Sequence, residues 1–139
     1  MTRINVIDPY WLTDQHLLAE YRELPRIFGA ARDALARGSV DVPREYVLGT
    51  GHVRFFYDKT DWLARRHANI VAELLKRKYK LTLTDSLTPV EGYEPSDWKP
   101  RVADVVVNMQ RLRERLQSKD DWFYTHYGEY VDGGFYDTN

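Results

Sequence analysis

Leu17, Tyr21, Leu24, Phe28, Ala31 and Leu35 recur at intervals of three and four residues, so on a helix they share one side. The spacing predicts a first helix from about residue 14. Thr13 or Asp14 suits its start, where a side-chain oxygen accepts from an unpaired N–H of the first turn, and Gly38 supplies the left-handed residue that ends many helices. Pro25 falls inside. It removes one backbone hydrogen bond and crowds the preceding turn, so a kink is expected there.

A second helix is predicted with Thr60 as cap and "DWLARRHANIVAELLKRKY" as body, its inward stripe being Leu63, His67, Ile70, Val71, Leu74 and Leu75. A third follows Pro100, with Val102, Val105, Met109, Leu112 and Leu116 as its seam. Between the first two, "YVLGTGHVRFFYDK" reads as a turn, since G-T-G-H lacks the third glycine and the strand-turn-helix frame of a dinucleotide site. "TLTDSLTPVEGYEPSDWKP" is rich in turn formers and is expected to be an ordered loop. The pattern gives three main helices, and one domain over 1–139 is the expectation.

Length agrees with one domain, as 139 residues bury one core. Without cysteine there is no disulfide, thiol nucleophile or thiolate metal site, a composition that suits a reducing compartment. Asp8 and Pro9 interrupt the place where the apolar run of a signal peptide would stand, and no segment approaches the roughly 20 apolar residues of a membrane span. A cytoplasmic protein with no membrane partner is expected.

A formal net charge of −1 argues against a generally basic nucleic-acid binder. The charge is unevenly spread, however. Arg54, Lys59, Arg65, Arg66, Lys76, Arg77, Lys78 and Lys80 concentrate cations mid-chain, while acids gather in "DSLTPVEGYEPSD" and the tail. Solvated helix faces account for such runs most simply, and a basic face on a near-neutral molecule also fits them. On the third helix Arg111, Arg115 and Lys119 follow at four-residue spacing, a row of cations along one face that can track a phosphate backbone.

On the first helix Gln15, Arg22 and Arg26 form a polar stripe with His16 and Glu23 beside it. By pattern alone an ordinary solvated face is the favoured account. His16, His52, His67 and His126 show no metal-ligand spacing, so no metal is expected, and no serine-hydrolase elbow is present. "DDWFYTHYGEY" crowds aromatic rings after the third helix; Trp122 is expected to close the core, while the tyrosines suit either core packing or stacking on bases.

The stretches "MTRIN", "DQHLLAEYRELPRIFGA", "LGTGHVRFFYDK" and the terminal "W-F-Y-T-H-Y-G" together resemble the pyrimidine-dimer DNA glycosylase/AP lyase family of the bacteriophage endonuclease V type. The likeness spans nearly the whole chain and is closest over residues 1–30 and 48–59, with the interval from Thr2 to Glu23 matching without a gap. It implies a compact, single-domain, all-α protein with its N-terminus threaded between helices. It also implies that, after removal of Met1, the α-amine of Thr2 attacks the anomeric carbon of the damaged nucleotide, with Glu23 as the essential carboxylate. Arg3, Arg22 and Arg26 match residues that bind around the lesion, Arg111 and Arg115 match phosphate contacts, and Gln15 and His16 match positions near the lesion-binding surface. The expected partner is double-stranded DNA carrying pyrimidine dimers or abasic sites, bound by a monomer without a cofactor.

Chemistry agrees with that assignment. An α-amine has an ordinary pKa of about 7.7 to 8 against about 10.4 for lysine, so at neutral pH part of it is already a free nucleophile. Neighbouring arginines lower it further by disfavouring a second cation. The same amine chemistry on another damaged base, or a non-catalytic helical DNA-binding protein, are the alternatives. "RDALARGSVDVPREY" is less basic than its phage counterpart, and the terminal aromatic motif has altered spacing and an acidic extension.

Overall fold

The computed structural model describes residues 4–38, 41–120 and 122–137. The fold is all-α. Its helices are α1 (Asp14–Ala36), the single-turn α2 (His52–Phe55), α3 (Thr60–Lys76) and α4 (Val102–Gln117), with a 3₁₀ turn at Pro9–Trp11 and a two-stranded hairpin of β1 (Thr125–His126) and β2 (Glu129–Tyr130).

α1 begins and ends as its residues dictate. The Thr13 side chain accepts from the His16 N–H at 3.1 Å, and Gly38, at φ 76°, donates its N–H to the Leu35 carbonyl. Helical geometry runs unbroken through Pro25. The buried face carries Leu17, Leu24, Ile27, Phe28 and Ala31 and packs mainly against α3, whose Leu63, Ile70, Val71 and Leu74 are buried in turn. Each such large side chain contributes about 1.5–3 kcal/mol on leaving water.

Four boundary and burial expectations need correction. α3 starts at Thr60 with Lys59 as its cap, and the Thr60 hydroxyl instead accepts from the Val90 N–H at 2.8 Å, tying down the long loop before α4. Its end falls at Lys76 because Lys78 turns left-handed at φ 69°; Lys78 and Tyr79 donate to the carbonyls of Leu75 and Leu74 in the paired-bond pattern usually closed by glycine. Leu75, expected on the inward stripe, is 50% exposed at that end, and Val102, expected in the seam of α4, is 81% exposed at its start.

The stretch "YVLGTGHVRFFYDK", expected to be a turn, contains the single-turn helix α2. Gly49 and Gly51, at φ 85° and 91°, make the left-handed turns that let the chain reverse into it. Phe55, Phe56, Trp62 and Trp98 then form an aromatic cluster, Trp98 standing edge-on to Trp62 at 5.0 Å and to Phe55 at 5.3 Å while Phe56 stacks on Trp62. That cluster pins the far end of the long loop. Tyr93 pins its middle by donating to the Ala31 carbonyl at 2.7 Å.

Charged residues expected at the surface lie inside. Glu20 and Arg66 are paired in two parallel bonds of 2.7 and 3.0 Å, and Arg66 also donates to the Ile7 carbonyl. Arg77 bonds Asp14 at 2.9 Å and Glu73 at 2.8 Å, and reaches the carbonyls of Pro9 and Tyr10. Arg66, Arg77 and the buried Lys59 are thus removed from any basic face.

Asp14 also organises the tail. Its carboxylate accepts from the N–H groups of Tyr127 and Gly128 and from the Thr125 hydroxyl, and so holds the two-residue hairpin turn, where both residues have positive φ. Burial would raise the Asp14 pKa, but Thr125, Gly128 and Arg77 outweigh it and hold the group below its ordinary value. Trp122, expected in the core, is 66% exposed. Tyr124 and Tyr136 occupy the interior instead.

Candidate active site

Residues 4–7 run beneath α1 and α4 as an extended strap whose polar groups are met by side chains. Ile4 donates its N–H to His52 Nε2 at 2.8 Å and accepts from the Tyr46 hydroxyl at 2.9 Å. Val6 donates to Asn108 Oδ1 at 2.7 Å. The Asn5 amide donates to Glu20 at 2.8 Å and accepts from the Asn108 amide at 2.8 Å. Backbone groups buried outside regular structure need such partners, and here they fix the register of the strap.

Directly above lies a cleft of about 160 Å³ between α1 and α4. His16, Ala19, Glu20 and Glu23 face it from α1, Arg111, Leu112 and Arg115 from α4, Asn5 from the strap and Tyr124 from the tail. Glu23 keeps about a quarter of its side chain exposed and pairs at 3.3 Å with Arg26, itself 74% exposed. Glu23 thus shares the cleft lining with Arg111 and Arg115 and pairs with Arg26, while the second carboxylate of the lining, Glu20, is neutralised by Arg66. A cleft with this balance of charge attracts an anion such as a phosphate.

His16 sits deeper. The Tyr136 hydroxyl accepts the Thr13 N–H at 2.9 Å and lies 2.8 Å from His16 Nδ1, and the Thr13 hydroxyl stands 2.9 Å from that same nitrogen, so two hydroxyls hold the ring. Burial first, and the Arg115 charge second, bring the His16 pKa down to about 4, so the ring is neutral at pH 7. Burial likewise pushes the Tyr136 hydroxyl up to about 12. The ring lies 4.7 Å from that of Tyr124, which walls the cleft.

Of the residues expected at the site, His16, Glu23, Arg111 and Arg115 meet in this cleft, with Arg26 at its rim through Glu23. Arg22 is exposed on α1 outside the lining. Gln15 is engaged elsewhere: its amide brackets Thr125, donating to the hydroxyl at 3.0 Å and accepting from the N–H at 2.9 Å. Arg111 leans into the cleft and is half-buried, so only Arg115 and Lys119 of the cation row stand in solvent. Thr2 and Arg3 lie outside the described residues.

Sequence reasoning missed Asn5, Glu20, Tyr124 and Asn108. Glu20 left a readable signal, since it falls between Leu17 and Leu24 on the apolar face, and an acid there demands a buried cation. Among the described residues no three histidine or acidic side chains gather to hold a metal ion, and no helix is long and apolar enough to cross a membrane. A family model described as pyrimidine dimer DNA glycosylase matches residues 1–87, which takes in the strap, α1 with Glu23, α2 and α3, and the chain belongs to that family.

Proposed function

We propose that this glycosylase cuts DNA at ultraviolet-induced cyclobutane pyrimidine dimers by a coupled glycosylase and AP lyase reaction whose nucleophile is the α-amine of Thr2. The observation that carries it is the anchoring of Ile4, because two residues reach at most about 7 Å. Ile4 is held on both sides and Asn5 lines the cleft beside Glu23, which supports a reaction between an amine at Thr2 and a sugar seated in that cleft. The amine exists only once Met1 is removed.

Its lone pair forms the bond to C1′ of the damaged nucleotide as the glycosidic bond breaks, and the base leaves with that electron pair and takes a proton. The sugar ring then opens to an imine. The imine acidifies C2′–H, whose proton is removed as the 3′ phosphate departs by β-elimination, and water releases the amine. Glu23 stabilises the cationic sugar and moves protons. Arg3, Arg22, Arg26, Arg111 and Arg115 hold phosphates around the lesion, with Gln15 shaping that surface through Thr125 and His16 acting as a neutral wall. A dimer weakens pairing and stacking, so kinking the duplex and extruding a nucleotide cost less there than in intact DNA.

Glu23→Gln tests the carboxylate, since it removes the charge and keeps the shape. Cleavage of a dimer-containing duplex should fall by at least about 100-fold while binding persists. Equal loss of binding and cleavage would contradict the role.

A further inference from the structure

His52 and Tyr46 lie outside the cleft lining, and the proposed chemistry gives them no part. Both are nonetheless buried, and both spend a polar atom on Ile4. The His52 tautomer is fixed by its partners. Nδ1 lies 2.7 Å from the Val47 carbonyl, which can only accept, so Nδ1 carries the hydrogen and Nε2 offers its lone pair to the Ile4 N–H. The turn through Gly49 and Gly51 delivers the ring, and Tyr46 and Phe56 wall it: the Tyr46 ring stands edge-on to His52 at 5.5 Å, and Phe56 at 5.6 Å. The hydroxyl of that same Tyr46 closes the other side of Ile4.

We infer that Tyr46 and His52 are positioning residues for the reaction: by gripping the carbonyl and N–H of Ile4, two residues from Thr2, they set how far the amine reaches toward Glu23. The inference rests on the N-terminal amine being the nucleophile. Both side chains act through the backbone of Ile4. Their effect is therefore on the rate of imine formation and not on the hold on DNA, which belongs to the arginines of α1 and α4.

The test uses the full chain in excess over a duplex with one abasic site, with borohydride to trap the imine. Trapping rate, Kd for the same duplex and thermal midpoint are measured for the unchanged protein, Tyr46→Phe, His52→Phe and His52→Gln. Tyr46→Phe removes one hydroxyl and keeps the ring packing, so the outcome does not depend on His52→Phe folding. Because a displacement of about 1 Å can cost about 100-fold, Tyr46→Phe and His52→Phe should trap about 10- to 100-fold more slowly with Kd unchanged. His52→Gln, whose carboxamide oxygen can stand where Nε2 stood and accept from Ile4, should recover most of the rate. Variants that trap at the unchanged rate, or whose rate and Kd worsen together, would overturn the positioning role while leaving the nucleophile intact. Absence of an N-terminal adduct in the unchanged protein would overturn both.

Discussion

At the scale of single residues, His16 links the cleft to stability. Its folded pKa of about 4 lies below the ordinary 6.5, so between these values the unfolded chain takes up a proton that the folded chain refuses. The stabilisation is complete above pH 6.5 and is lost as pH falls toward 4, at a cost of about 3 kcal/mol. Burial lowers the His67 pKa too, which adds to the loss in the same direction. Denaturant melts at pH 7 and pH 4.5 should therefore show less acid destabilisation in His16→Gln than in the unchanged protein; equal loss in both would contradict a neutral, buried His16. Asp14 acts lower on the scale, because a carboxylate held below its ordinary pKa loses its contribution only as pH falls further.

At the scale of elements, α1 was legible because its face is written in neighbouring residues: Leu17, Leu24, Phe28 and Ala31 need only helical geometry to line up. Burial of Asp14 and Glu20 on that same face was not, because their partners Arg77 and Arg66 stand 63 and 46 residues away. Short-range patterns treat such cations as surface charge. The hairpin escaped notice for a related reason, since Tyr127 takes a left-handed conformation only where the Asp14 carboxylate receives its N–H and the Arg77 guanidinium covers its ring at 4.7 Å. The end of α3 shows the reverse case, a glycine-like position filled by Lys78 at φ 69°. Lys78→Gly should relieve that strain at a smaller entropic cost and stabilise the protein by about 0.5–1 kcal/mol in denaturant melts. A destabilised variant would mean that the lysine side chain holds something the backbone geometry does not reveal.

At the scale of the molecule, a chain of net charge −1 can still grip DNA because its inward cations are neutralised while others stay outside. Arg22, Arg26, Arg115 and Lys119 are exposed on α1 and just along or beyond α4. If these four neutralise phosphates, log of the binding constant should fall with log of salt with a slope of about −3 to −4, and Arg115→Ala should reduce that slope by about 1. Binding indifferent to salt would place DNA on another surface. Of the cleft itself, Glu23, Arg111 and Arg115 were named from a resemblance to known sequences, since by spacing alone a solvated face was the favoured account. The strap beneath them was not, because the side chains holding it come from Tyr46, His52 and Asn108, scattered over more than 60 residues of sequence.

The central claim concerns one bond, between the α-amine of Thr2 and C1′ of the damaged nucleotide. The most direct measurement is borohydride trapping on a duplex carrying a single cis-syn thymine dimer, followed by peptide mass spectrometry of the adduct. The account predicts a covalent link at the amine of Thr2 in chains that have lost Met1. An adduct on a lysine side chain, or efficient trapping on an abasic-site duplex with none on the dimer, would contradict it.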